Sequence, residues 1–137
     1  MTDMFVAMSR SLQAWAADVG LTKHVYKLGV ATEDADAAVA ALNESGFAGR
    51  ADWKLVRKQS VEATDEPQVL ARVGGREMAV DPVYYPQIKG GKGIFKVKIA
   101  NVENHVLVRR ALAGEQTRQP SIKPVDVADY LIRSAIG

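Results

Sequence analysis

His24-Val25-Tyr26-Lys27-Leu28-Gly29-Val30, followed directly by Ala31-Thr32-Glu33-Asp34-Ala35-Asp36 and a run of small apolar residues to Leu42, is the stretch on which the fold turns. In its first part Tyr26, Leu28 and Val30 share one side of an extended chain, and Val25, Lys27 and Gly29 share the other. That is the period-two pattern of a strand. In its second part Ala35, Ala38, Val39 and Leu42 line one stripe at helical spacing. Thr32 stands at the N-cap position, and Glu33, Asp34 and Asp36 crowd a first turn where the helix dipole favours acids. Gly46 ends the helix, with Phe47 placed to fold back on its last turn. A second strand is predicted from Asp52 to Val61, with Trp53 and Leu55 on one face and Lys54, Val56 and Lys58 on the other. Strand, helix and strand with a short return make a β-α-β unit, which predicts two parallel strands.

Towards the N-terminus, Met4, Phe5, Met8, Leu12, Trp15, Ala16 and Val19 fit helical spacing, with Gly20 just beyond. They predict an amphipathic helix over residues 1–20. Its polar side has too few cations for a membrane-surface helix, which leaves packing on the core or a homodimer interface. Towards the C-terminus, Val69–Val73 and Arg76–Val80 flank Gly74-Gly75, a β-hairpin signal in which Arg72 would oppose Glu77. Ile94–Ile99 alternates as a strand. Asn101 then caps a helix ending before Gly114, and Pro124 opens a last one through Val125, Ala128, Leu131, Ile132 and Ala135. The predicted fold is a single α+β domain over residues 1–137. It has an N-terminal helix, then β-α-β, a β-hairpin, a strand and two C-terminal helices around one mixed sheet.

Composition supports one globular unit: 137 residues, 47% hydrophobic and 25% charged, enough to bury a core without cross-links. The absence of cysteine excludes disulfides, thiolate zinc sites and thiol catalysis, and fits a reducing cytoplasm. No apolar run reaches the ~18–20 residues of a membrane span, and no basic region followed by an apolar run marks a secretory signal. A cytoplasmic protein without a membrane partner is expected.

Charge is unevenly placed. Residues 89–123 hold eight Lys/Arg against two acids, a local +6 in a chain whose net charge is only +2. This region opens with Tyr84-Tyr85-Pro86-Gln87-Ile88-Lys89-Gly90-Gly91-Lys92-Gly93, a glycine loop that offers backbone N–H groups together with Lys89 and Lys92 to an anion. It is not a Walker loop, because no Gly-x-x-x-x-Gly-Lys-Ser/Thr is present and a strand follows it. The glycines and the repelling lysines predict a mobile segment over residues 87–93.

Lys96 and Lys98 share a strand face with no acid between them, and Arg109-Arg110 end a helix. With Lys89 and Lys92 these six cations are the candidate anion-binding residues. Tyr84 and Tyr85 are the candidate stacking groups, since rings beside cations are what a nucleic-acid platform needs. Lysines on an outer strand also prevent edge-to-edge association, and arginines at a helix C-terminus complement the dipole.

The two histidines, His24 and His105, have no second His at metal-ligand spacing. The Glu33-Asp34-Asp36 cluster belongs to a helix start rather than to a calcium loop. No Gly-x-Ser-x-Gly or His-Glu-x-x-His occurs, so neither catalysis, metal nor cofactor is indicated. Three readings follow. The leading one is a small non-catalytic binding domain whose basic C-terminal half engages an anionic partner, most plausibly nucleic acid. The others are a homodimeric assembly protein and an enzyme or binder for a phosphorylated small molecule.

Overall fold

The uninterrupted apolar run Met4-Phe5-Val6-Ala7-Met8 is the centre of the molecule. In the computed structural model, which describes residues 2–32, 34–62, 65–80, 85, 88, 91–114 and 122–136, it lies in strand β1 (Thr2–Ser9), not in a helix. Met4, Val6 and Met8 enter the core on one face of the sheet, Phe5 and Ala7 the core on the other. A short run buried on both faces has no polar side to betray its period, so helical and extended readings fit it equally. Ser9 marks the true helix start: its hydroxyl accepts from the Leu12 N–H at 3.1 Å and opens α1 (Arg10–Asp18). Met4, Phe5, Met8 and Leu12, which suggested a dimer interface, are thus buried within one chain.

The remaining elements are β2 (Val25–Ala31), α2 (Ala35–Ser45), β3 (Trp53–Val61), α3 (Glu66–Gly74), β4 (Met78–Ala79), β5 (Ile94–Lys96), α4 (Ile99–Leu112) and α5 (Pro124–Ile136), with a 3-10 turn at Phe47–Gly49. The expected β2 and β3 are present with the expected faces at their starts, and Asp34 rather than Thr32 caps α2. The predicted hairpin is absent. Asp65 and Pro67 start α3 instead, Val69 and Val73 sit one turn apart in the core, and Gly74-Gly75 closes the helix. Arg72 consequently donates to the Ala135 carbonyl at 3.0 Å rather than facing Glu77. The strand predicted from Ile94 to Ile99 stops at Lys96. α4 starts at Ile99 with Lys98 in the cap position, and Asn101 reaches Glu77 instead of capping.

The sheet has the order β3-β1-β2-β5-β4 and every pairing is antiparallel, so it is not mixed. β2 and β3 do run in the same direction. They do not pair, because β1 lies between them. Gly29 permits this contact: Phe5 crosses over it, and a Cβ there would stand 2.6 Å from the Phe5 ring. Helices α3, α4 and α5 cover one face and α1 and α2 the other. A bulge opposite Val6/Ala7 makes Val56 an extra residue in β3. Val56 packs into the α3–α5 core, and Arg57 beside it reaches α5 on the same side.

Candidate functional site

Antiparallel order has a direct consequence for charge. The end of β1, the starts of β2, β3 and β4 and the end of β5 all fall at one end of the sheet, as the pairs Ser9↔Trp53, Val25↔Lys96 and Met78↔Lys96 show. Cations sit at each of these positions: Lys54 on β3, Arg10 after β1, Lys23 before β2, Lys96 and Lys98 at the end of β5, and Arg76 before β4. Lys123, before α5, is brought beside Met8 and Arg10. None of these seven makes an ion pair with another described residue.

They line a chain of open clefts. One of about 420 Å³ holds Arg10, Lys54 and Lys123 over an apolar floor of Met8, Val56 and Pro124. It shares Arg10 and Lys123 with a cleft of about 520 Å³ that reaches Lys23 and His24 over Tyr26. His24 leads into a third, of about 580 Å³, with Arg76, Lys96 and Lys98. Arg76 leads into a fourth, of about 520 Å³, with Asn101, Asn104, His105 and Tyr130. Burial, and then the neighbouring Lys23, hold His24 below the ordinary imidazole range, so it lines the track as a neutral group.

Among the described residues two acids line these clefts, Asp52 and Glu77, and each is hydrogen-bonded within the chain. Asp52 accepts from the hydroxyls of Ser9 and Ser11 and from the Ser11 N–H. Glu77, almost wholly buried, accepts from the Lys98 N–H, the Asn101 amide at 2.8 Å and the Tyr130 hydroxyl at 3.1 Å. Helices α1, α4 and α5 also begin at this end, and α4 has no side-chain cap on its first N–H groups. Their dipoles add to the positive field.

Behind the fourth cleft lies a second polar cluster. Asp129 of α5 is 4% exposed and receives His105 Nε2 at 2.9 Å and the Arg109 guanidinium, with Arg57 at 3.6 Å. Burial alone would push this carboxyl up. The His105 hydrogen bond and the two arginines outweigh burial and hold it below the ordinary carboxylate range. The Tyr130 ring stands edge-on to His105, 5.7 Å between centroids. Burial and the adjacent Glu77 raise the Tyr130 hydroxyl, which therefore stays protonated and donates. No serine or threonine hydroxyl bonds to His105 among the described residues, so the pair has an orienting carboxylate but no nucleophile.

Of the six cations singled out from sequence, Lys96 and Lys98 lie on the track. Lys92 does not: it precedes β5 at the opposite end, and its carbonyl accepts from Lys27 Nζ at 2.7 Å. Arg109 serves Asp129, and Arg110 is half-buried in the last turn of α4. Tyr85 packs edge-on against Trp15 at 5.9 Å, on the α1 side of the sheet. Lys89 and Tyr84 lie outside the described residues. The described part of the glycine loop is held in place. The Leu28 N–H donates to the Gly93 carbonyl at 2.8 Å, and a Cβ on Gly93, at φ 78°, would stand 2.5 Å from the Leu28 oxygen. The residues sequence reasoning missed, Arg10, Lys23, Lys54 and Arg76, are scattered along the chain. Their shared signal is position: each borders a strand end.

Comparisons with protein-family models, with curated proteins and with solved structures return no match to this chain. No described helix is long and apolar enough to cross a membrane.

Proposed function

We propose that the basic end of the sheet binds the phosphate backbone of nucleic acid, with single strands preferred over duplex. One observation carries this reading: among the described residues, seven cations without ion-pair partners line clefts whose two acids are internally hydrogen-bonded. Five strands at ~4.8 Å spacing set the outermost two about 19 Å apart, so a strand laid across this end of the sheet meets several of the seven cations in turn. Apolar floors between the cations, such as Met8, Val56 and Pro124, give an unstacked base somewhere to lie, which a paired base cannot use. The basic surface therefore draws on the whole chain rather than on its C-terminal half.

Fluorescence anisotropy with an oligothymidylate and a matched duplex, each at low and high salt, tests the proposal. Binding should weaken with a slope of log K against log salt of about −3 to −4, as expected for some four to six neutralised phosphates on a single strand. Absence of binding at low salt, where phosphate contacts are strongest, removes it.

A further inference from the structure

We infer that the cleft between Arg76 and α4 is a subsite for a phosphomonoester, carried at the end of a bound strand or on a free nucleotide. The inference rests on the nucleic-acid reading for its strand-end form, but not for the free nucleotide. The cleft is set apart from the rest of the track by what faces it. Arg76 supplies a guanidinium with no ion-pair partner among the described residues, Asn101 and Asn104 supply amides, and His105 supplies a ring. Two buried carboxylates stand behind the cleft and are held by the fold: Glu77 accepts from the Lys98 N–H, Asn101 and Tyr130, and Asp129 is bound by His105, Arg109 and Arg57.

Asp129 gives His105 a defined role. It takes Nε2 and fixes the ring, which leaves Nδ1 without a hydrogen-bond partner among the described residues. A ring held this way can donate to, or accept from, a group that itself carries a proton near neutrality. A phosphomonoester, with its second ionisation near pH 6, is such a group, whereas an internal phosphodiester is not. A guanidinium fork recognises its paired oxygens. The Tyr130 ring and Val108 form an apolar wall for the attached sugar or base, and about 520 Å³ is within the range of small-ligand sites. Arg76 also lines the cleft of Lys96 and Lys98, so a strand on those lysines would run its end into this subsite.

The test uses the intact chain and two probe pairs: adenosine 5′-monophosphate against adenosine, and an oligothymidylate with and without a 5′-phosphate. Proton–nitrogen NMR follows the His105 side chain, and anisotropy follows the oligonucleotides. The monophosphate should shift His105 and adenosine should not. The 5′-phosphate should strengthen oligonucleotide binding about tenfold, the gain of one charge-assisted contact set. Asn104→Asp, at an exposed position, places a carboxylate in the cleft and should abolish both effects, the gain from the 5′-phosphate being read within the variant as the ratio of phosphorylated to unphosphorylated binding. A His105 response to the monophosphate that Asn104→Asp removes upholds the subsite even where no oligonucleotide binds, an outcome that would sink the nucleic-acid reading alone. Oligonucleotide binding indifferent to the 5′-phosphate, with no His105 response to the monophosphate, overturns the subsite and leaves the track standing. A His105 response that Asn104→Asp leaves intact overturns it as well.

Discussion

Asp3, Asp34, Asp36 and Glu66 gather where β1 begins and β2 ends, and each has a partner. Asp3 accepts from the Ala35 N–H and the Ser60 hydroxyl. Asp34 and Asp36 both hold Lys58, at 3.6 and 3.0 Å. Glu66 accepts from the Val30 N–H and stands 3.7 Å from Lys27. At the other end of the same strands Arg10, Lys23, Lys54, Lys96 and Lys98 have no ion-pair partner among the described residues. One end of the sheet thus uses its acids as caps and bridges, and the other leaves its cations unspent. Exposed ion pairs contribute little energy, so the acidic end is no great source of stability. What the contrast separates is charge with a task in the fold from charge without one, and the second kind is what a partner can use.

The largest effect should come from reversing the unspent charges. Lys54→Glu, Lys96→Glu and Lys98→Glu together should weaken oligonucleotide binding at low salt by about a hundredfold or more and flatten the salt slope by about 2 to 3. The melting temperature should barely move, because these side chains support no other described residue through an ion pair. Asp34→Asn with Asp36→Asn, which neutralises two charges at the acidic end, should leave affinity within about twofold. A clear gain in affinity from Asp34→Asn with Asp36→Asn, which raise the net charge by two, would mean that net charge, not the track, governs binding.

A smaller effect, on stability, is expected at Asp129, whose charge is wholly committed. Asp129→Asn should cost about 2 kcal/mol at pH 7, since Arg57, Arg109 and His105 lose a buried carboxylate, although both arginines keep solvent. The sign with pH follows from a folded-state pKa below the unfolded one. The stabilisation is complete above the unfolded carboxylate range of about 4 and fades as pH falls through the folded value. Urea denaturation at pH 7, 5 and 3 should show a gap between wild type and variant that is constant over the first two and shrinks at the third. A gap that widens in acid would reverse the assignment.

Sequence patterning reached those elements whose apolar run is broken by a charged residue or a helix signal. β2 is buried on both faces as β1 is, but Lys27 interrupts it and leaves the alternation legible; Asp36 and Lys58 do the same for α2 and β3, and Pro124 with its apolar stripe marks α5. β1 was misread because burial on both faces erases the alternation. Residues 69–73 were misread because Val69 and Val73 satisfy a strand and a helix alike until Asp65 and Pro67 are weighed as a helix start. The site suffered more. Lys96 and Lys98 were visible as neighbours in sequence, but Arg10, Lys23, Lys54 and Arg76 meet them only through the strand order β3-β1-β2-β5-β4. Asp129 and His105 lie 24 residues apart, and nothing local in the sequence pairs them.

The smallest effect is expected at Lys27, the cation that departs from the pattern because it is 5% exposed and sits mid-sheet. Its ammonium donates to the Lys92 carbonyl at 2.7 Å, stands 5.0 Å from the Phe47 ring centroid and is 3.7 Å from Glu66. Burial depresses its pKa, and Glu66 only partly offsets this. The fold therefore disfavours the charged form, and that penalty is present at every pH below the folded value. Lys27→Met keeps the length and apolar stem. It orphans the Lys92 carbonyl, at about 1 kcal/mol, and removes a buried charge, a gain of similar size. Stability at pH 7 should stay within about 1 kcal/mol of wild type by urea denaturation, and oligonucleotide affinity should not change, since Lys27 is off the track. As pH rises from the folded pKa towards the unfolded value near 10.4, wild type should gain stability on Lys27→Met, because the unfolded chain then holds the proton that the folded one has lost. A loss above about 3 kcal/mol at pH 7 would instead make Lys27 a structural tether of the Gly91–Gly93 segment, a charge the fold cannot do without.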